Sequence, residues 1–249
     1  VGDIDLHTQL LTVTGKGNKT RSVPVGRLAL AAVEQWMKVR QANADEHALF
    51  TSNRGARIVA YTAAGEANIL YQGELTPLPD KPMAPGEFCN DVAVSADGNI
   101  WYTDRVNRRV MHLGKDGQVR SVAAGFRPNG TVLSADGKLL AVTDSLEPVL
   151  RAFEVSADGS LRERVGFFPP VRTLSNLGNR AVAGRLVTNG MAVGAEGRFY
   201  LTSFYCIEVY ASDGQYLVVI DRPSWFISNL VFAGPERKTL YATGVNDIL

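Results

Sequence analysis

The sequence is poor in cysteine and has no long apolar run. Its 249 residues include two cysteines, Cys89 and Cys206, which are too few for a disulfide scaffold and lack the spacing of a zinc site. We therefore expect two independent, buried or half-buried thiols. No apolar run approaches the roughly 20 residues of a transmembrane helix, so a membrane span is not expected. The chain begins VGDIDL, without a basic or apolar leader, and this favours a cytoplasmic protein.

The chain also lacks an excess of charge of one sign, with 26 Lys and Arg against 25 Asp and Glu. This balance disfavours nucleic acid or a membrane surface as the partner. It conceals a difference between two segments. Residues 1–58 contain eight Lys and Arg against five Asp and Glu, whereas the remainder contains eighteen against twenty. Hydrophobic residues make up 45% of the chain, which is enough for a sizeable core and excludes disorder as a description of the whole.

The first 45 residues predict a small α+β segment. Residues 4–25 alternate aliphatic or β-branched residues with polar ones around a glycine-containing turn at residues 15–18, a pattern that predicts short strands. From Arg27 the sequence LALAAVEQWMKVRQAN follows, in which Leu28, Ala32, Trp36 and Val39 recur at helical spacing. This pattern predicts an amphipathic helix of about four turns.

Beyond about residue 55 the pattern is that of short strands separated by acidic turns. Each turn joins an acidic residue to glycine, and the acidic residues are Asp97, Asp116, Asp136, Asp158, Glu196 and Asp213. Their spacing is 17 to 22 residues apart from one double step of 38. Two such steps make a period of about 40 residues, which is typical of the four-stranded blades of a β-propeller.

The repeat is also visible as sequence in four segments. They are NDVAVSADGNIWYTD at 90–104, NGTVLSADGKLLAVTDS at 129–145, NGMAVGAEGRFYLTS at 189–203 and NLVFAGPERKTLYATG at 229–244. Each begins with Asn and an apolar strand, and after a turn a second strand leads to Thr or Ser. We predict an all-β, propeller-like domain, with a β-sandwich as the alternative because strand spacing alone does not separate the two.

The four leading asparagines, Asn90, Asn129, Asn189 and Asn229, would surround the central channel of such a propeller. Asp91 would lie beside the first of them. Carboxamide and carboxylate oxygens suit a hard divalent cation, so the ring is a candidate metal site. The alternative is that each Asn side chain satisfies a local turn or strand end. The spacing leaves both interpretations open.

The segment from Arg127 to Ser145, with Pro-Asn-Gly followed by LSADGKLLAVTDS, resembles the PNG…S.DG…Y..DS signature of the senescence marker protein/gluconolactonase/luciferin-regenerating family. The other three segments resemble the motifs around it, so the likeness covers about residues 56–249. It implies an all-β, six-bladed-type propeller, complete or incomplete. It also implies one divalent cation, with Ca²⁺ first and Zn²⁺, Mn²⁺ or Mg²⁺ as alternatives. The implied activity is that of a hydrolase acting on a sugar lactone or another small ester.

The same resemblance assigns roles to single residues. Asn129 matches a metal ligand, and Asn90 with Asp91 matches the substrate-binding position. Asn189 stands where the family usually has an Asp that binds the metal and acts as general base. An amide cannot accept that proton at neutral pH. The family's metal-binding Glu has no counterpart in this sequence, and Phe88 replaces a substrate-binding Arg of several members.

These departures keep a second interpretation open, that of a catalytically inactive propeller serving as a binding or interaction module from a truncated or recombined gene. Asp104 and Asp144 are spare carboxylates in the repeats. We expect them to form hydrogen bonds at strand ends.

Residues 1–55 have a separate resemblance, to the catalytic domain of Xer-type tyrosine recombinases. It rests on the GKGNK.R.VP turn between two strands and the helical segment after them. Lys16 matches the family's catalytic Lys, although a solvated turn lysine would give the same local pattern. The His-x-x-Arg box and the tyrosine nucleophile of that family are missing from this sequence, so recombinase activity is not expected. We predict two domains, residues 1–55 and residues 56–249.

Overall fold

The computed structural model describes residues 3–5, 10–14, 20–24, 48–52, 57–61, 67–72, 89–147, 149–171, 188–203, 206–221, 227–233 and 238–244. Twenty strands and no helix lie within these ranges, and the strands form six antiparallel sheets. The prediction of an all-β chain is confirmed. The predicted helix around Leu28 to Val39 and the turn that carries Lys16 lie outside the described residues. None of the described segments is a helix of the length and hydropathy that a membrane crossing requires.

The first two sheets have three strands each. They comprise β1 (Asp3–Asp5), β2 (Leu10–Thr14) and β3 (Thr20–Pro24), then β4 (Ala48–Ser52), β5 (Arg57–Tyr61) and β6 (Ala67–Gln72). Strand β4 pairs with β5 along its whole length. This hairpin therefore spans residue 55, where the two resemblances meet.

The next three sheets have four strands each, and a two-stranded sheet follows. The members are β7 (Val92–Val94), β8 (Ile100–Asp104), β9 (Arg109–Leu113) and β10 (Val119–Ala124); β11 (Pro128–Leu133), β12 (Leu139–Asp144), β13 (Leu150–Val155) and β14 (Leu161–Glu163); β15 (Met191–Val193), β16 (Phe199–Thr202), β17 (Cys206–Tyr210) and β18 (Tyr216–Asp221); and β19 (Ile227–Ala233) and β20 (Thr239–Gly244). Within each sheet, every strand pairs with the next one along the chain, so each sheet is a meander.

The first strands of successive sheets contact each other in chain order. Strand β4 contacts β7, β7 contacts β11, β11 contacts β15, and β15 contacts β19. Meanders whose first strands follow one another around a common axis are the blades of a propeller. The predicted propeller architecture is thereby confirmed, and the sandwich alternative is not.

The predicted acidic turns form the tight connections within the blades. In the turn between β11 and β12, Asp136 accepts hydrogen bonds from the Ser134 hydroxyl at 2.6 Å and from the Lys138 amide at 3.1 Å. Gly137 has a φ of 70°, which residues with a Cβ rarely adopt. Asp116, Asp158 and Asp213 likewise accept the amide of the residue two positions on, and the glycines of the other five turns have φ of 75–89°.

The hydrophobic core lies between the blades. In β12, Leu139 and Ala141 pack against the following blade, whereas Leu140 and Val142 pack against the preceding one. Because both faces of a middle strand are buried, its sequence is continuously apolar rather than alternating. Cys89 and Cys206 are both buried and are not joined in a disulfide, as expected of two independent thiols.

A buried histidine fills the contact between the third and fourth sheets. The His112 ring lies on Trp101, with ring centroids 5.1 Å apart, and its Nε2 is 3.0 Å from Asn99 Oδ1. Gly159 of the next blade is so close that any side chain there would overlap the ring. Burial, followed by the positive charge of Arg120, lowers the pKa of His112, while Asp158, Asp116 and Asp97 oppose the shift.

A lowered histidine pKa makes folding stability depend on pH. The unfolded chain binds a proton at the ordinary value of about 6.5, but the folded chain resists it. The stabilisation is therefore present above that pH and is lost as pH falls below it. We expect urea midpoints of the wild-type protein to fall between pH 7 and pH 5 more steeply than those of His112→Gln. Parallel curves for the two proteins would show that His112 carries no such linkage.

Candidate functional site

The inner ends of four neighbouring blades bring the repeated asparagines together. Asn90 and Asp91 precede β7, Asn189 precedes β15, and Asn129 and Asn229 lie near the starts of β11 and β19. Two glycines allow the close approach between these strands. A Cβ on Gly130 would overlap the Asn189 carbonyl oxygen, and one on Gly190 would overlap the Asn229 side chain. Neighbouring blades are thus in direct contact around Asn129, Asn189 and Asn229, and a complete ring of asparagines around the channel stays a prediction.

Asp91 connects the first two blades of the ring. Its Oδ2 accepts the Thr131 amide of β11 at 2.8 Å, and its Oδ1 accepts the amide of Val92 at 3.0 Å. Burial raises the pKa of Asp91 to about 6, and these two backbone hydrogen bonds offset only part of the effect. The carboxylate thus fixes the start of β11 and remains mostly ionised at pH 7.

Asn129 has the most informative side chain of the ring. It is 6% exposed, and its Nδ2 donates to the Thr188 carbonyl at 3.0 Å. That bond fixes the amide plane, yet the buried Oδ1 has no hydrogen-bond partner among the described residues. Leaving a buried acceptor unsatisfied costs about 1–3 kcal/mol. A ligand that supplies a positive charge or a donor would remove this cost, which makes Oδ1 a candidate binding position.

The backbones of Asn189 and Asn90 are held within their own blades. The Asn189 amide donates to the Thr202 carbonyl at 3.2 Å, and the Asn90 amide donates to the Thr103 carbonyl at 2.9 Å. Both side chains are half-buried at the start of an inner strand. Phe88 and Lys16, the other positions that the resemblances single out, lie outside the described residues.

Asn229 differs from the other three. Its side chain is exposed, and its Oδ1 accepts the amide of Leu230 at 2.8 Å. This is the local use of an Asn side chain that the sequence left open as the alternative. The fourth repeat therefore carries the motif without presenting a free amide oxygen to the channel.

Asp104 and Asp144 are the last residues of β8 and β12. Asp104 accepts Arg109 Nε at 2.9 Å, and Asp144 accepts Arg151 Nε and Nη2 at 3.1 Å. Both carboxylates are almost fully buried, and each also accepts a backbone amide. Their role is the strand-end hydrogen bonding that was expected.

The threonines that close each repeat belong to the ring as well. Thr103 Oγ1 donates to the Asn129 carbonyl at 2.6 Å, and Thr143 Oγ1 lies 3.3 Å from the Asn189 carbonyl. Thr143 Oγ1 also accepts the Gly130 amide at 2.8 Å. The sequence signal for them is the Thr that recurs in the second strand of all four segments, although it was not interpreted as part of the site.

A cavity of about 870 Å³ lies along the inner strands of these blades, and none of the four asparagines is among the residues that line it. Val92, Thr131, Met191 and Leu230 line it near the asparagines, and the acidic turns with Asp97 and Asp136 line its far end. This volume is within the range of small-molecule pockets.

The donors at the ring are mainly neutral oxygens. Within the described ranges, no group of three or more His, Cys, Asp or Glu side chains could hold a metal ion. The chemistry that fits is a hard cation or a polar substrate on amide oxygens, with Asn129 Oδ1 as the preorganised ligand.

Residues 4–246 match the SMP-30/Gluconolactonase/LRE-like region family. The chain belongs to this family. A gluconolactonase from Xanthomonas campestris is 25% identical, with a TM-score of 0.58 over 82% of this chain and 67% of that one. The calcium-binding protein regucalcin from Agrobacterium tumefaciens is 17% identical, with a TM-score of 0.60 over 98% of this chain and 77% of that one. At this identity the second likeness concerns the fold alone.

The N-terminal segment matches a second family. Over 58 residues, or 22% of this chain, it is 53% identical to the tyrosine recombinase XerC of Alcanivorax borkumensis. The chain spans about a fifth of that recombinase, 19% of its length. Both resemblances noted in the sequence are confirmed, and the match to the SMP-30/gluconolactonase family also extends over the recombinase-like residues. The division into two domains stays a prediction.

The Thr143 hydroxyl contacts Gly130 of its own blade and Asn189 of the next, and we call this pair of contacts the threonine bridge. It gives a direct test of the contacts at the ring. In Thr143→Val the Gly130 amide loses its buried acceptor, so we expect unfolding free energy to fall by about 1–3 kcal/mol. Thr239→Val, at an exposed position of β20, is the matched control and should change stability by less than about 0.5 kcal/mol. Urea denaturation of both variants measures the difference. Equal effects would mean that the bridge contributes nothing.

Proposed function

We propose that this member of the SMP-30/gluconolactonase family is a lactonase-like hydrolase that acts on a sugar lactone or another small ester with the help of one divalent cation. Ca²⁺ is the first candidate, and Zn²⁺, Mn²⁺ and Mg²⁺ are the alternatives. The observation that carries the proposal is the buried Oδ1 of Asn129, which has no hydrogen-bond partner among the described residues. The gluconolactonase of X. campestris, at 25% identity, supports the reaction class.

In this proposal Asn129 and Asn189 hold the cation, and Asn90 with Asp91 contacts the substrate. A bound cation would polarise the lactone carbonyl and acidify a water molecule. The protein's own contribution is orientation. The Thr188 carbonyl fixes the Asn129 amide, and Thr143 holds the backbone of Asn189. A ligand oxygen is thus positioned before the substrate arrives, which lowers the cost of binding.

Proton transfer is the weak step of the proposed reaction. Asn189 has no basic atom, so it cannot deprotonate the attacking water. Asp91 is ionised at neutral pH, with a pKa of about 6, but each of its oxygens already accepts a backbone amide. Its remaining lone pairs are the only basic sites that the described ring offers. We therefore infer a slow hydrolase.

A second candidate follows from the same observation. With an amide at position 189, the ring can bind a polar small molecule without turning it over. The chain would then be a binding module rather than an enzyme. The two functions predict different results for a carboxylate at position 189. It would speed hydrolysis in an enzyme and would leave a binding module inactive.

The substitution Asn189→Asp separates these candidates. It adds a basic oxygen and a negative charge at the ring, so we expect the rate of lactone hydrolysis to rise by about 10²–10⁴-fold, the usual contribution of a general base. The cation-induced rise in melting temperature should also increase. Both are measured with Ca²⁺, Zn²⁺, Mn²⁺ and Mg²⁺ in turn, using a panel of lactones and small esters.

Asn229→Asp is the matched control, because it adds the same charge to the neighbouring repeat, where the side chain is exposed and already accepts the Leu230 amide. It should leave hydrolysis unchanged. If neither wild type nor Asn189→Asp binds a cation or hydrolyses a lactone or ester, the hydrolase proposal is wrong and the binding module is favoured.

A further inference from the structure

The outermost strand of the fifth sheet, β18, exposes an unusual apolar surface. Leu217, Val218 and Ile220 are 44%, 52% and 40% exposed. The run from Tyr216 to Ile220 contains no charged residue, and its one polar side-chain group is the Tyr216 hydroxyl. Among the described strands β18 pairs only with β17, which is buried along its whole length. Its outward edge therefore presents backbone donors and acceptors together with aliphatic side chains.

The outer strands of the two preceding sheets, β10 and β14, differ from β18 because charged side chains lie within them. Strand β10 carries Arg120, which pairs with Asp158 at 3.5 Å. Strand β14 consists of Leu161, Arg162 and Glu163, and Glu163 pairs with Arg151 at 2.8 Å. Charged side chains on an edge strand prevent it from pairing with another chain. Two of the three four-stranded sheets thus have charges within their outer strand, whereas the one charge of β18, Asp221, is its last residue and leaves Tyr216 to Ile220 uncharged.

We propose that β18 is a dimerisation edge, on which a second copy of this chain adds its own β18 in antiparallel orientation. The two four-stranded sheets would join into one of eight strands. Edge pairing of this kind draws its affinity from main-chain hydrogen bonds and its specificity from the side chains on the two faces. This inference is independent of the proposed hydrolase.

The sequence of β18 favours its own copy as the occupant. In a two-fold interface each contact occurs twice, so the strand must be complementary to its own reverse. With the axis at Val218, Tyr216 faces Ile220, Leu217 faces Val219, and Val218 faces itself. The flanking Gln215 then faces Asp221, which places an amide rather than a second carboxylate opposite the only charge. No like charges oppose each other in this register.

The ladder with β17 is compatible with this register. From Val218 to Asp221 the pairing is regular, with Val218 opposite Val209 and Asp221 opposite Cys206. The single irregularity is a bulge at the Tyr216 end. The outward edge is thus a regular strand over the residues that carry most of the exposed apolar surface.

The test is the oligomeric state of the full chain by sedimentation velocity over a wide range of concentration. We expect the wild type to dimerise and Val218→Lys to have a dissociation constant raised about tenfold or more, since two lysines would face each other. An equimolar mixture of Val218→Lys and Val218→Glu should regain dimers, because opposite charges then face each other. That recovery also shows that both variants are folded.

Ile69→Lys is the matched control. It places the same charge on β6, the last strand of its own sheet, where Ile69 is 50% exposed. It should leave the dimer intact. A monomeric wild type would mean that something other than a second copy covers β18, and it would overturn the proposal. Loss of the dimer in Ile69→Lys but not in Val218→Lys would overturn it as well, as would a mixture of the two Val218 variants that stays monomeric.

Discussion

Hydrogen bonds from threonine hydroxyls to the backbone of the next blade determine the geometry at the centre of this protein. Thr103 donates to the carbonyl of Asn129, and Thr143 lies within bonding distance of the carbonyl of Asn189. Each hydroxyl is buried, so the bond cannot be exchanged for one with water. The peptide groups that carry the asparagines are therefore held by the preceding blade, and the directions of the amide side chains follow from that.

The close approach that these bonds require is possible because glycine follows two of the asparagines. A side chain on Gly130 or Gly190 would collide with the next asparagine, so the blades would have to separate. Separation would break the threonine bridges and open the apolar contacts between the blades, which form the core. The Asn-Gly pair thus serves the packing of the propeller and the shape of its channel at once. Stability and site geometry share one cause.

Electrostatics at the ring follow from where the carboxylates point. Asp104 and Asp144, which end their strands, are neutralised by Arg109 and Arg151. Asp91 is the carboxylate that faces the ring, and burial makes its charge costly. A cation at Asn129 would lower that cost and would also satisfy the orphan amide oxygen. Under the proposed function, one positive charge would thus satisfy two groups of a site whose donors are mostly neutral.

The turns and the two-faced apolar strands could be predicted because their residues act locally. An Asp-Gly pair forms its turn through its own side chain and its own φ angle, and a strand such as β12 is apolar throughout because it is buried on both sides. The contact of His112 with Gly159 could not be predicted, since it joins residues 47 positions apart with no shared pattern. Asn229 shows the limit of motif reasoning. It repeats the residue type of Asn129, but one hydrogen bond to the adjacent Leu230 amide removes its oxygen from the channel.

The N-terminal residues of the chain match two families at once. Residues that match a recombinase also lie within the match to the SMP-30/gluconolactonase family, and the regucalcin fold superposes on 98% of the chain. A blade needs an antiparallel meander, and β1 to β3 form one. Strands β4 and β5 pair across residue 55, where one resemblance gives way to the other. Since backbone pairing does not depend on ancestry, a hairpin from either family can complete the same sheet.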